Sequence, residues 1–138
     1  MDVASAYKNA QSLPKSRIDT IIALYRKALS HLDRARANLL KDESSAATTH
    51  LLKTQTIVMA LASNLPAHKD EAAVNFLRLY EFVAYQMKRG GVANVDAAAK
   101  VLRILLTGFE AKREQALALE MQGKIPPVDA TSNVSLTA

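Results

Sequence analysis

The 138-residue chain contains no cysteine and no tryptophan, and it has only four glycines and four prolines. Without cysteine, disulfides, zinc–thiolate sites and thiol catalysis are excluded. Few glycines and prolines, an abundance of Ala, Leu, Val, Lys and Arg, and the absence of strand-rich runs predict an all-α protein. The length fits one domain with a real hydrophobic core.

Signals for membrane insertion and secretion are also missing. No apolar run approaches the roughly 20 residues that a membrane-spanning helix needs. The first residues lack the charged and apolar regions of a secretory signal. On these grounds we expect a cytoplasmic protein.

The chain offers no recognisable catalytic or metal-binding constellation. His31, His50 and His68 lie about nineteen residues apart, so no two of them share a helix face at the spacing that metal sites use. Gly90-Gly91 follows a helical segment rather than a strand, and no serine lies in a nucleophile motif. We therefore expect no enzyme activity, no metal and no cofactor, and we expect the histidines to lie on the surface.

Hydrophobic spacing predicts a long first helix. Ser16 with Asp19 three residues later resembles a capping box, and the helix should end near Lys41. Its apolar positions recur every three or four residues. They are Ile18, Ile21, Tyr25, Leu29, Leu32, Ala35 and Leu39.

A second helix is predicted over about 46–64, with Pro66 after it. Its stripe is Leu51, Gln55, Val58, Ala62 and Leu65, with a second row at Thr54, Ile57 and Leu61. Asp70 is the predicted N-cap of a third helix, which should end at Gly90-Gly91, where left-handed geometry is easily adopted.

The fourth helix is predicted to begin at a cap formed by Asn94 or Asp96 and to end at Gly123. Gly108 inside it suggests a close helix contact or a slight bend. Short connections between long helices imply antiparallel neighbours, hence an up-down four-helix bundle. The expected organisation is an N-terminal arm over 1–15, a bundle over 16–122 and a disordered tail over 123–138.

The segment 75–87, NFLRLYEFVAYQM, is too apolar for a helix with one buried face. An amphipathic surface helix shows one apolar stripe of about 100°. Here the apolar side chains surround more than half of the helix axis. The second apolar side needs another layer of the fold or a binding partner.

Positive charge is concentrated at the start of the chain. Residues 1–41 hold eight Lys/Arg and three Asp/Glu, whereas residues 42–138 hold ten of each. Such a bias is found on nucleic-acid-binding faces as well as on solvated helices. A basic nucleic-acid-binding module is therefore an alternative, through Lys8, Lys15, Arg17, Arg26, Lys27, Arg34, Arg36 and Lys41.

Three segments together resemble the FliS family of flagellin-specific export chaperones. They are the Ala6-Tyr7 pair in the arm, the segment 16–32 with Leu24-Tyr25, Ala28 and Leu32, and the segment 75–87 with Asn75, Leu79, Tyr80, Phe82 and Met87. Gln55 and Ile57, followed by Leu61 and Leu65, are also similar to a family element. The resemblance spans about residues 6–120.

This resemblance implies a helical bundle that holds the C-terminal segment of flagellin in a hydrophobic groove, prevents its premature polymerisation and aids its delivery to the export apparatus. The export gate and other flagellar regulators are further implied partners. The residues expected to form the groove are Tyr7, Ile21, Ile22, Leu24, Tyr25, Leu61, Asn75, Leu79 and Tyr80. In the family the N-terminal arm can fill part of the groove, which makes Tyr7 a candidate plug. A self-associating helical adaptor remains a second alternative.

Overall fold

The computed structural model describes residues 16–66 and 70–123, and these ranges form five helices without a strand. The helices are α1 Arg17–Leu40, α2 Ser44–Ser63, α3 Glu71–Arg89, α4 Val92–Ala111 and α5 Arg113–Met121. The all-α prediction is confirmed. The predicted arm over 1–15, the tail beyond Gly123 and His68 lie outside the described residues.

Helices α1 to α4 form an antiparallel bundle in which each helix packs on its two neighbours along the ring. Four side-chain contacts mark the seams of α1: Arg17–Asn64, His31–His50, Arg26–Glu110 and Arg36–Asp96. Residue numbers rise along α1 as they fall along α2 and α4, so both neighbours run opposite to α1. Helix α3 lies diagonally across from α1 and packs on α2 and α4.

The predicted start signals of α1 and α3 are confirmed. The Ser16 hydroxyl accepts a hydrogen bond from the Asp19 N–H at 3.1 Å, and the Asp70 carboxylate accepts one from the Ala73 N–H at 2.8 Å. Each cap satisfies a backbone donor that the first helical turn leaves without a partner. Gly90 and Gly91 have φ values of 68° and 85°, which turn the chain sharply from α3 into α4.

The predicted fourth helix begins too late and is not continuous, although the helical segment does end just before Gly123, as predicted. Helix α4 begins at Val92 directly after Gly91, and Asn94 lies inside it, where its side-chain amide donates to the Gly90 carbonyl at 2.6 Å. The helix ends at Ala111, and after Lys112 the chain starts the separate helix α5. Gly108 makes no close contact that a Cβ would disturb, and the break lies at Lys112 rather than at the glycine.

The core is built around α1, which is buried on two sides because it packs between α2 and α4. On α2 the second predicted row is buried together with Val58 of the first row, whereas Gln55 of the first row is exposed. The largest fully buried side chains are Tyr25, Leu32, Thr54, Ile57, Val83, Val95 and Leu102. The buried Thr54 hydroxyl donates to the His50 carbonyl at 2.9 Å, which satisfies its hydrogen-bonding need.

Several large apolar side chains remain on the surface of the described helices. They are Leu40, Leu52, Met59, Leu79, Phe82, Tyr85, Ile104 and Met121. These residues are distributed over all four bundle helices and α5. Among the described helices between residues 16 and 123, none has the length and apolar character to cross a membrane.

Candidate functional site

A cavity of about 250 Å³ opens at the end of the bundle where α1 begins, α2 ends and α3 begins. These three termini meet there because neighbouring helices alternate in direction. The lining is mostly apolar, with the charged groups of Arg17 and Asp70 also present. The lining residues are Arg17, Ile21, Leu61, Asn64, Leu65, Pro66, Asp70, Ala72, Ala73, Phe76, Tyr80 and Phe109.

A second cavity of about 220 Å³ lies on the other side of Ile21 and Phe109. It is enclosed by the first turns of α1, by Phe109 near the end of α4, and by one face of α5. Arg17, Ile21 and Phe109 line both cavities. The two cavities are therefore neighbouring parts of one depression, which is called the end groove below.

Four aromatic rings pack together beneath the end groove. The ring centroid of Phe109 is 5.3 Å from that of Tyr25 and 5.8 Å from that of Phe76, and Phe76 and Tyr80 are 6.2 Å apart. These separations are those of favourable tilted and offset aromatic pairs. The cluster gives the groove an apolar floor that draws on α1, α3 and α4.

One hydrogen bond crosses the core diagonally from α1 to α3. The hydroxyl oxygens of Tyr25 and Tyr80 are 2.7 Å apart, so one hydroxyl donates to the other. Tyr25 is fully buried and Tyr80 is 4% exposed. Burial raises the pKa of both phenols further above their ordinary value of 10.0, so both hydroxyls are protonated at neutral pH and can share this bond.

Arg17 ties together three helix ends at the rim of the groove. Its guanidinium donates to the Asn64 carbonyl at 3.2 Å, which satisfies an acceptor at the C-terminus of α2. Its backbone N–H donates to the Glu120 carboxylate of α5, with distances of 3.0 and 3.3 Å to the two oxygens. The guanidinium is therefore fixed at the rim rather than extended into solvent.

The predicted groove residues separate into three groups. Ile21, Leu61 and Tyr80 meet in the end groove. Ile22, Leu24 and Tyr25 lie in the core, because α1 is covered by helices on two sides and these residues face inward. Asn75 and Leu79 are exposed on the outer side of α3, and Tyr7 lies outside the described residues.

Ile22, Leu24 and Tyr25 were expected on the wall of the groove, but they lie in the core beneath or beside it. A partner-binding role for the nine predicted residues stays a prediction. The sequence prediction omitted Phe76, Phe109 and Arg17, which all line the end groove. Phe76 heads the apolar segment 75–87 and Phe109 is the last aromatic residue of α4, but only the antiparallel packing shows that they meet.

The excess apolar surface of the segment 75–87 is real. Tyr80, Val83 and Met87 face the core, whereas Leu79, Phe82 and Tyr85 are 36%, 42% and 57% exposed. The guanidinium of Arg89 lies over the ring of Tyr85, 5.8 Å from its centroid. Helix α3 thus presents a second apolar side to solvent, away from the end groove.

Part of the basic charge on α1 is used within the bundle. Arg26 pairs with Glu110 at 2.9 Å and Arg36 pairs with Asp96 at 2.8 Å, both across the α1–α4 seam. Arg17 likewise holds an intramolecular partner, the Asn64 carbonyl. This reduces the charge that α1 presents to a polyanion.

The expectation that all histidines lie on the surface is wrong for His31, which is 7% exposed at the α1–α2 seam. Its Nδ1 lies 3.0 Å from the Nδ1 of His50, so one ring donates and the other accepts. Burial lowers the pKa of His31, and electrostatic repulsion from the nearby His50, Lys53, Arg34 and Lys27 side chains lowers it further. Within residues 16–66 and 70–123 no group of three His, Asp or Glu side chains is arranged to hold a metal ion.

The His31 environment predicts a pH-dependent stability. Because the pKa of His31 is lower in the folded chain than its ordinary value of 6.5, the unfolded chain takes up the proton first as the pH falls. Above pH 6.5 the neutral His31 ring leaves the free energy of unfolding at its full value. As the pH falls from 6.5 to the folded-state pKa of His31, the free energy of unfolding decreases progressively. Urea unfolding between pH 8 and pH 5 should show this loss, and His31→Asn should show less of it. Equal pH dependence of the two proteins would contradict the assignment.

Comparison with known proteins gives one finding. The family model described as "Flagellar protein FliS" matches residues 1–117 of the chain. Neither the curated proteins nor the solved structures include a match. The matched span contains the whole of α1 to α4 and every residue that lines the end groove except Glu120.

Proposed function

The chain belongs to the FliS family of flagellar export chaperones, and we propose that it binds the C-terminal segment of flagellin in the end groove. In the cytoplasm this binding would prevent premature polymerisation and help to deliver flagellin to the export apparatus. The observation that carries the proposal is the family match over residues 1–117, most of the 138-residue chain. The resemblance drawn from the segments 16–32 and 75–87 is thereby confirmed at the level of the family.

The shape and chemistry of the end groove support a peptide as its ligand. The groove joins two apolar cavities of about 250 and 220 Å³. A helical client segment presents apolar side chains at positions such as i, i+3 and i+4, and these anchors insert into apolar depressions between helices. The Ile21 side chain lies between the two cavities, so it would contact two successive anchors of the client.

The rim of the groove supplies polar groups for the client backbone. Arg17 and Asp70 line the first cavity, and Lys112 lines the second. A client that is disordered when free loses conformational entropy as it folds on the bundle, so a large contact surface is needed for useful affinity. The exposed apolar side of α3, formed by Leu79, Phe82 and Tyr85, offers such additional surface.

Pull-down after co-expression tests the proposal directly. The chain should capture full-length flagellin from the same organism and should not capture flagellin that lacks its C-terminal segment. Purified complexes should contain one copy of each protein by light scattering. Capture of the truncated flagellin, or no capture of the intact protein, would overturn the proposal. A homodimer that persists in the presence of flagellin would favour the self-associating adaptor.

Salt dependence separates the proposed function from nucleic-acid binding. An apolar groove that holds a peptide should show affinities within a factor of about three between 50 and 300 mM NaCl, since few charges are neutralised. Binding to nucleic acid through the cations of residues 1–41 should instead weaken by orders of magnitude. Fluorescence anisotropy measures the affinity for a labelled flagellin peptide and for a labelled DNA duplex at each salt concentration. Tight, strongly salt-dependent DNA binding without peptide binding would favour the basic module.

A further inference from the structure

Helix α5 is attached to the bundle differently from the other four helices. It has nine residues and none of them is buried, although Ala116 and Leu117 pack partly against the core. Its neighbours are α1 and α4. It follows α4 across Lys112, and no side-chain cap stabilises its first turn.

Two polar clamps hold α5 against the start of α1. At one end, the Arg113 guanidinium donates two hydrogen bonds to the Asp19 carboxylate, at 2.6 and 3.0 Å. At the other end, the Glu120 carboxylate accepts from the backbone N–H of Arg17. That carboxylate lies at the positive N-terminal end of α1, where a negative charge is favourable.

Helix α5 covers an apolar surface formed by residues of α1 and α4. The second cavity of the end groove is closed on one side by Lys112, Ala116 and Glu120, and on the other by Ile18, Ile21 and Phe109. If α5 moved away, the side chains of Ile18 and Ile21 on α1 would be exposed to solvent. Because Ile21 and Phe109 also line the first cavity, the end groove would then be open to solvent along both of its cavities.

We propose that α5 is a strap that closes over the end groove and opens to admit the client. The proposal rests on the flagellin-binding function above and adds a regulatory element to the same site. The bundle does not depend on α5 for its core, since no α5 residue is buried. Opening breaks an ion pair between two partly exposed side chains, one hydrogen-bonded contact and the partial packing of Ala116 and Leu117 against the core. These few contacts are small compared with the free energy of folding the bundle.

Opening of α5 can be measured through the hydrogen exchange of its backbone amides. A nine-residue helix that leaves the bundle does not stay helical in water, because isolated helices shorter than about 12 residues are marginal. Its amides then exchange with solvent. Hydrogen–deuterium exchange measured by mass spectrometry therefore reports opening of α5 separately from unfolding of α1 to α4.

The test compares wild type with Arg113→Gln, Glu120→Ala and the double variant. Arg103→Gln and Asp33→Ala are matched controls, since these exposed residues on α4 and α1 carry the same charges and lie outside both clamps. Loss of both clamps should speed exchange of residues 113–121 by about tenfold, as expected for losing an ion pair and a hydrogen bond to a charged group. Exchange in α1 to α4 should stay unchanged. The dye ANS should bind the double variant more strongly than wild type.

A labelled peptide with the flagellin C-terminal sequence then tests regulation. The double variant should bind it several-fold more tightly, because a larger fraction of molecules is already open. Unchanged exchange in α5 of the double variant would overturn the strap, as would faster α5 exchange with unchanged peptide affinity. If the peptide binds neither protein, the flagellin proposal fails, while α5 exchange and ANS binding still decide whether the strap exists. If the double variant loosens all five helices, Arg113→Gln alone decides by the same criteria.

Discussion

Ile21→Asp should weaken binding of the flagellin C-terminal segment by about 100-fold, which corresponds to about 3 kcal/mol. Ile21 lines both cavities of the end groove and is only half-buried, so its side chain is available to a ligand. A carboxylate at this position would have to lose water when an apolar client side chain docks against it. No partner for that charge is expected from an apolar anchor, and burying an unpaired charge is costly. Isothermal titration calorimetry with the peptide measures the change.

Ile104→Asp is the matched control for this prediction. Ile104 is 62% exposed on α4 and lies outside both cavities, so the same substitution there should leave peptide affinity unchanged within about twofold. Circular dichroism should show that both variants keep the helical content of wild type. Equal loss of affinity in the two variants would mean that the end groove is not the binding site.

Tyr80→Phe should destabilise the bundle by about 1–3 kcal/mol, the cost of leaving a buried hydroxyl without a hydrogen-bond partner. The orphaned hydroxyl belongs to Tyr25, which is fully buried in the core and has the Tyr80 hydroxyl as its partner at 2.7 Å. Tyr25→Phe should cost less. It leaves the hydroxyl of Tyr80, which lines the first cavity and can therefore reach water.

The double variant Tyr25→Phe, Tyr80→Phe tests whether the two hydroxyls stabilise the bundle as a pair. Removing both hydroxyls leaves no buried polar group at the α1–α3 crossing, so its stability should exceed that of Tyr80→Phe and approach that of wild type. Urea denaturation of the four proteins provides the double-mutant cycle. Additive losses in the double variant would show that the two hydroxyls do not act as a pair.

Local signals in the sequence were sufficient to predict most of the fold. The caps at Ser16 and Asp70 and the turn at Gly90-Gly91 act over three or four residues, and each occurs where the sequence predicts it. The break between α4 and α5 carries no such signal, because Lys112 is a good helix former. The break coincides with tertiary contacts, since Arg113 and Glu120 bind residues at the start of α1, about a hundred positions away.

The residues of the end groove were predictable only in part, because the groove depends on how the helix ends pack together. Hydrophobic periodicity shows that Ile21 and Tyr25 share one side of α1, but not where a neighbouring helix ends. In the bundle, Ile21 lies near the open end and Tyr25 lies one turn deeper, where α2, α3 and α4 enclose it. Phe76 and Phe109 join the groove because α3 and α4 run in opposite directions, which is a property of the packing rather than of either segment alone.

The most direct test of the central claim is a methyl NMR titration of the isotopically labelled chain with the flagellin C-terminal peptide. Binding in the end groove predicts that the methyl signals of Ile21, Leu61 and Leu65 shift with one shared saturation curve. The methyl signals of Ile104 and Leu40, exposed away from the groove, should stay in place. Saturable shifts confined to Ile104 or Leu40, or no shifts at all, would contradict the account.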